Sequence, residues 1–296
     1  MAERLAEVEA RRASIVELGS VTDAMRSLAA ARFQQAAAML PGTRTYAEVI
    51  GGALAQAVAL AEDGPRRWPA QGCGHAALVL FAPEHGFVGA FAERLAKEAR
   101  TAPPGTELWV VGGRGAALLE EAGRAPAWSL PMATHADAVI ATARRVAEAL
   151  YGAAAADRLG RVELLYGRAV AGAGPELVRA ALLPLDFARF RPARFRPERR
   201  AVPPLTNLPP AQLVARLVDE YIYALLAHAA LESFAAENAA RLSVMMAARH
   251  NIESSLETLT GILRRLRQEQ ITTELIELAT GAEALAGGPN SGEPRR

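Results

Sequence analysis

Cysteine, aromatic residues and metal-ligand clusters are scarce in this sequence. Its one cysteine, Cys73, excludes an internal disulfide and a cysteine-based metal cluster, and is typical of a reducing compartment. The five histidines show neither HxxxH nor HExxH spacing, so we predict no metal site. Aromatic residues make up only 5% of the chain, which favours a helix-rich protein over a sheet-dominated enzyme core.

The sequence also lacks a net charge and long apolar runs. Its 33 Lys and Arg residues nearly balance 32 Asp and Glu residues, so the chain as a whole attracts neither nucleic acid nor an anionic membrane. No stretch reaches 18 uninterrupted apolar residues, and the N-terminus has no apolar signal-peptide region. We therefore expect a folded cytoplasmic protein without direct membrane insertion.

One glycine-rich turn, GGRG at Gly112–Gly115, superficially resembles a phosphate loop. The sequence completes neither GxGxxG nor GxxxxGK[ST], and it has no GxSxG nucleophile elbow. A tight strand-to-helix turn is therefore favoured over nucleotide binding, and no cofactor is predicted.

Both ends of the chain are patterned as long helices. Residues 1–60 carry an apolar 3-4 spacing, with an expected interruption at Pro41-Gly42; the spaced residues are Leu18, Val21, Met25 and Leu28. Residues 207–286 begin with Asn207, a candidate N-cap, and repeat the apolar spacing at Ile252, Leu256, Leu259, Leu263 and Leu266. These stripes predict a long antiparallel two-helix coiled coil.

The middle of the chain changes its period. Short apolar runs at 76–81, 107–111 and 162–170 predict buried strands. Helical segments lie between them at 87–100, 115–122 and 136–156. This alternation predicts an inserted three-layer α/β domain over residues 75–188, so the fold class is α+β or α/β.

Two further segments are expected to lack regular structure. Residues 189–206 form a basic, proline-rich linker, and residues 287–296 a disordered tail. Arginines interleaved with two phenylalanines in the linker raise the alternative of RNA binding. A solvated connection between the domains is the favoured interpretation, and we predict no nucleic-acid partner.

Five segments resemble motifs of the gamma subunits of F-type ATP synthases, in the same order and at the same spacing over nearly the whole chain. They are VTDAMRSLAAARF (Val21–Phe33), TYAE (Thr45–Glu48), LLPLD (Leu182–Asp186), AENAARLSVMMAARHN (Ala236–Asn251) and RQEQITTELIELATGAEAL (Arg267–Leu285). The last is the most specific, because polar residues recur at fixed places within an apolar pattern.

The resemblance implies a non-catalytic rotor stalk that couples ion flow through a membrane c-ring to ATP synthesis or hydrolysis on beta subunits. The implied partners are three alpha and three beta subunits, an epsilon subunit and the c-ring, on the cytoplasmic side of a bacterial inner membrane. The family's contacts with the alpha-beta ring map onto Met25, Arg32, Arg241, Arg267, Gln268, Thr272 and Glu274. From spacing alone, the polar residues near the C-terminus would be a solvated helix face.

Several positions depart from the family pattern. Ser20 and Asp23 replace two lysines, while Leu263 and Arg264 replace a tyrosine and an asparagine. The glycine-rich signature after the first strand reads PEHGFVGAFA at Pro83–Ala92. These departures indicate a divergent branch and raise the hypothesis of a second, ion-pumping (N-type) ATPase.

Two other functions remain as alternatives. One is a small-molecule α/β enzyme with helical dimerisation arms, and the other is a structural coiled-coil adaptor. The lack of a phosphate loop and of an acid-base cluster counts against the enzyme, and the RQxxITxEL match at Arg267–Leu275 counts against the adaptor.

We expect the isolated chain to show no ATPase activity and no ATP affinity, because its sequence lacks the motifs that grip phosphates. Isothermal titration of ATP into the purified chain should give no saturable heat. Tight, saturable binding would contradict the prediction.

Overall fold

The computed structural model describes residues 2–61, 67–68, 74–156, 158–187 and 205–286. The expected tail at 287–296 and residues 189–204 of the expected linker lie outside these ranges. The chain divides into two compact units. The first, here the helical unit, combines Met1–Met25 with Met245–Arg296, and the second, the sheet unit, spans Arg26–Val244.

Five helices and seven strands make up the described parts of the chain. The helices are α1 (Ala2–Leu60), α2 (Phe91–Ala99), α3 (Gly113–Glu121), α4 (Ala136–Ala155) and α5 (Pro210–Ala286). The strands are β1 (Arg67–Trp68), β2 (His75–Phe81), β3 (Glu107–Val111), β4 (Trp128–Leu130), β5 (Leu159–Arg168), β6 (Glu176–Leu183) and β7 (Leu185–Asp186).

The interruption expected at Pro41-Gly42 is absent, because α1 runs through both residues. A proline inside a helix removes one hydrogen bond and costs about 3 kcal/mol. Burial of Ala36 and Leu54 on the same helix offsets that cost, and the Thr43 hydroxyl donates to the Leu40 carbonyl beside the proline. Tertiary packing therefore overrides the local signal.

The helical unit is an antiparallel pair formed by α1 and α5. Arg267 Nη2 lies 2.6 Å from Glu9 Oε1, and Arg249 pairs with Asp23. Because the α5 partner number falls as the α1 number rises, the two helices run in opposite directions. The predicted α5 stripe is confirmed, since its last three leucines, Leu259, Leu263 and Leu266, are buried.

The stripe predicted on α1 was wrong. Leu18 and Val21 are 59% and 58% exposed, whereas Gly19 is buried. A Cβ atom on Gly19 would lie 3.5 Å from the Ile252 side chain of α5, so this glycine marks the face that packs. A small residue lets two helices approach closely, and the bulkier 3-4 stripe consequently faces outward.

The sheet unit contains a five-stranded sheet in the order β4-β3-β2-β5-β6. Strands β4, β3, β2 and β5 are parallel, and β6 returns antiparallel beside β5. The sequence pattern does not predict β4 or β6, because β4 has only three residues and β6 is a partly exposed edge strand with interspersed charges. β1 pairs with β7 in a separate antiparallel ribbon.

Helix α2 begins at Phe91, four residues later than predicted. Phe87 and Gly89 have φ angles of 60° and 58°, which a right-handed helix does not accept. The segment from Pro83 to Ala90 is therefore a loop that follows β2 directly.

The sheet is covered on both faces, which confirms the predicted three layers. One face, including Val79, Phe81 and Leu164, packs against α4 and against parts of α1 and α5 within this unit. The other face, including Leu80 and Val110, packs chiefly against α2 and α3. Successive side chains of a strand point to opposite faces of the sheet. Because both faces are covered, most positions are apolar, and the strands appear in the sequence as continuous apolar runs.

The antiparallel register predicts specific crosslinks. In a Cys73→Ser background, the pairs Glu9→Cys with Arg267→Cys and Asp23→Cys with Arg249→Cys should crosslink under mild oxidation, because each pair joins adjacent positions. Glu9→Cys with Arg249→Cys is the mismatched control, displaced by roughly 27 Å along the helix. Efficient crosslinking of the control on SDS gels would refute the register.

Candidate functional site

Four of the residues implied by the resemblance lie together near the end of α5. Arg267 is exposed and pairs with Glu9 of α1. Thr272 donates to the Gln268 carbonyl at 2.8 Å, and Gln270 Nε2 donates to Glu274 Oε1 at 2.9 Å. These bonds lie along the helix and leave the exposed side chains with free hydrogen-bonding capacity.

The same part of α5 exposes apolar side chains. Ile271, Leu275, Ile276 and Leu278 are all more than half exposed. Polar side chains lie on the same stretch of the helix, namely Arg265, Gln268, Glu269, Thr272 and Thr273. Several large exposed apolar side chains beside polar ones are typical of a protein contact surface.

Met25 and Arg32 both lie on α1 and are partly buried. Met25 belongs to the helical unit together with the end of α5, whereas Arg32 belongs to the sheet unit. The site residues therefore fall into separate groups.

Arg241 is buried in the sheet unit, unlike the C-terminal polar residues. Its Nη2 lies 2.6 Å from Glu237 Oε1, and its Nη1 lies 3.3 Å from Asn238 Oδ1. Its guanidinium also donates to the main-chain carbonyls of His85 and Gly86. In this chain Arg241 connects α5 to the loop after β2. Its contact with the alpha-beta ring, implied by the family motif, stays a prediction.

Glu84, which no sequence motif singles out, holds the start of α3 with its carboxylate. Glu84 Oε2 accepts from the main-chain N–H groups of Gly113 at 2.8 Å and Met132 at 2.7 Å. Gly112 precedes the helix with a φ of 121° and packs against the Ala82 backbone, where a Cβ would clash. GGRG is thus a strand-to-helix turn whose helix N-terminus holds an internal carboxylate.

The described residues contain no group of three side chains suited to metal binding. Within those same ranges, every helix is too short or too polar to cross a bilayer.

A cluster of titratable groups connects α1, β5 and α5 in the sheet unit. His228 Nδ1 lies 2.9 Å from the Thr43 hydroxyl, and its Nε2 lies 3.5 Å from Glu232 Oε1. Arg168 Nε lies 3.6 Å from the same carboxylate oxygen. Burial, reinforced by Arg44 and Arg168, lowers the pKa of His228, and burial raises the pKa of Glu232.

These elements define a class of protein: an antiparallel pair of terminal helices, an α/β unit between them in the sequence, and exposed apolar side chains near the end of the last helix. The family model described as ATP synthase matches residues 4–285. The chain belongs to this family.

The relatives it resembles in sequence are ATP synthase gamma chains. The gamma chain of Frankia casuarinae is 29% identical over 302 residues, covering 97% of this chain and all of the relative. That of Rubrobacter xylanophilus is also 29% identical and covers 93% and 96%. These near-complete matches extend over both terminal helices and the α/β unit.

Solved structures share the fold. A chain of the Euglena gracilis mitochondrial ATP synthase, in an OSCP/F1/c-ring assembly, has a TM-score of 0.67 at 14% identity and covers 100% of this chain and 99% of its own. A chain from the Tetrahymena thermophila central stalk and c-ring has a TM-score of 0.53 at 18% identity, covering 77% and 99%. The fold is thus kept at low identity.

The lowered pKa of His228 predicts loss of stability in acid. The folded state then binds fewer protons than the unfolded state, so this contribution is complete above the ordinary pKa of about 6.5 and falls as pH drops through it. His228→Gln removes the titrating group and keeps a polar side chain at this position.

Urea unfolding at pH 7.5 and pH 5.5 should show a smaller decrease in unfolding free energy for His228→Gln than for the unchanged chain. Because Glu232 contacts His228, the same comparison in a Glu232→Gln background removes the titration of the neighbouring carboxylate. Equal decreases would contradict the role given to His228.

Proposed function

We propose that this chain is the central-stalk rotor subunit of a bacterial F-type ATP synthase, without catalytic activity of its own. The observation that carries the proposal is the long helix α5, which pairs with α1 and exposes a mixed apolar and polar surface near its end. Its 77 residues correspond to about 115 Å of helix, a length suited to transmitting torque.

The proposed partners are three alpha and three beta subunits around the paired helices, with epsilon and the membrane c-ring at the other end of the stalk. ATP chemistry takes place on the beta subunits, and ion translocation takes place in the membrane sector. The chain itself is peripheral, on the cytoplasmic side of the inner membrane. Relatives named ATP synthase gamma chain over their full length support this assignment.

We propose the residues near the end of α5 as a contact with the alpha-beta ring. Ile271, Leu275 and Leu278 supply apolar area, and Gln268 and Thr272 supply hydrogen-bonding groups beside it. Arg267 is braced by Glu9, so its guanidinium is held in position while remaining exposed. Met25, Arg32 and Arg241 are further contact candidates implied by the family motifs.

Such a surface couples chemistry to rotation only if its contacts differ between rotary states. A contact of equal strength in every state changes assembly but not the relative energies of the states. A single asymmetric helix end inside a ring of three equivalent sites meets this requirement, because it faces only one site in each orientation.

The direct test of the proposed function is reconstitution with the alpha, beta and epsilon subunits encoded in the same genome. The chain should co-purify with them and support ATP-driven rotation of an attached probe. A complex that assembles fully without this chain, or excludes it, would overturn the proposal.

Replacing Gln268, Thr272 and Glu274 together by alanine tests the contact surface. Alanine is the best helix former, and the bonds of the Thr272 and Glu274 side chains stay within α5, so the chain should fold normally. Each lost contact with the ring is worth about 0.5–1.5 kcal/mol. We expect ATP turnover by the assembled complex to fall roughly tenfold.

The matched control replaces exposed Glu253 and Glu257 by alanine, which removes two polar side chains from the same helix. Its turnover should stay within a factor of two, because surface substitutions have small effects. Turnover at the parental rate in the triple variant would show that the three residues are only solvated.

A further inference from the structure

Three polar side chains on one face of α5 are almost completely buried in the sheet unit. Ser233, Glu237 and Arg241 are 1%, 4% and 6% exposed. Their spacing of four residues places them in one row along the helix. Burying charged groups is costly even when they are paired, so this row requires a reason beyond stability.

Each member of the row bonds to main-chain atoms of the sheet or of the following loop. Ser233 Oγ donates to the Phe81 carbonyl at 2.7 Å, at the end of β2. Glu237 Oε2 accepts from the Glu84 N–H at 3.3 Å. Arg241 Nη2 donates to the Gly86 carbonyl at 3.3 Å, and its Nη2 also lies 2.6 Å from Glu237 Oε1.

The loop that receives these bonds is itself fixed. The carboxylate of Glu84 accepts from Gly113 at the start of α3 and from Met132 after β4. The row therefore bonds to a loop that Glu84 already connects to the ends of β3 and β4.

Hydrogen bonds and apolar contacts resist different motions. Apolar burial is non-directional, so a helix can turn slightly about its axis with little loss of buried area. A turn of about 20° moves side-chain atoms near 6 Å from the axis by about 2 Å, which is enough to break hydrogen bonds. Beside the row, α5 buries four small residues, Ala229, Ala230, Ala236 and Ala240, so only its bulkier neighbours such as Leu231 and Phe234 oppose such a turn sterically.

We infer that Ser233, Glu237 and Arg241 form a register key that fixes the rotational position of α5 against the sheet. In the rotor role, on which this consequence rests, the key transmits torque between the long helix and the α/β unit without slip. The three residues are positioning residues, and none needs to touch a partner subunit.

The key can be tested in the isolated chain. In a Cys73→Ser background, spin labels at Lys97→Cys on α2 and Ser243→Cys on α5 occupy exposed positions in the sheet unit. Pulsed electron resonance should give a narrow distance distribution for the parent. The Ser233→Ala/Glu237→Gln double variant should broaden it at least twofold.

Val218→Ala is the matched control, since Val218 is a fully buried apolar residue of the same helix. It should lower the melting temperature without broadening the distribution. The single Glu237→Gln variant, of nearly identical shape, replaces the double variant if that one does not fold. An unchanged width in a folded key variant would overturn the inference.

The assembled complex tests the consequence for coupling. Ions pumped per ATP hydrolysed should fall at least twofold for the key variant and stay unchanged for Val218→Ala. Full coupling despite a broadened distribution would overturn the torque role. Failure of the parent chain to assemble would count against the proposed function alone, because the distance measurement needs no partner.

Discussion

Burial of the apolar side of α5 is the constraint on which the rest of this structure depends. A helix of this length gains little from intrinsic propensity and needs tertiary packing to persist in water. In the sheet unit that packing comes from the sheet and its covering helices, around Val218, Ile222 and Leu226. In the helical unit it comes from α1, beside Ile252 and the buried leucines. Loss of either set would leave a long apolar stripe in solvent.

The spacing of apolar residues in the sequence predicted the buried face of α5 but not that of α1. On α5 the residues from Ile252 to Leu266 form the dominant stripe, and it is the buried one. On α1 the predicted stripe, with Leu18 and Val21, is exposed, whereas Gly19 lies on the face that packs. The spacing of apolar residues shows where large apolar side chains recur. It does not show where a small side chain allows two helices to pack closely.

The sequence predicted the residues of the candidate site but not which of them are exposed. A family motif gives the type and position of a residue but not its exposure, so Arg267 and Arg241 looked equivalent in sequence. The structure separates them, since one is exposed and the other is covered by the loop after β2. The spacing of Glu237 and Arg241, four residues apart, was the available signal of an internal pair. Glu84 carried no signal, because its partners are main-chain groups distant in sequence.

Helix α5 therefore uses polar residues in two opposite ways. Around Ser233 and Arg241 they are buried and bonded to fixed main-chain atoms, so each bond specifies one orientation of the helix. Around Gln268 and Thr272 they are exposed, and the Thr272 hydroxyl bonds along the helix, so a partner contact there replaces water at small net cost. A rotating shaft needs both properties: it must not turn within its own subunit, and it must release each external contact in sequence. Under the proposed function, burial of the polar groups around Arg241 supplies the first property, and exposure of those around Gln268 supplies the second.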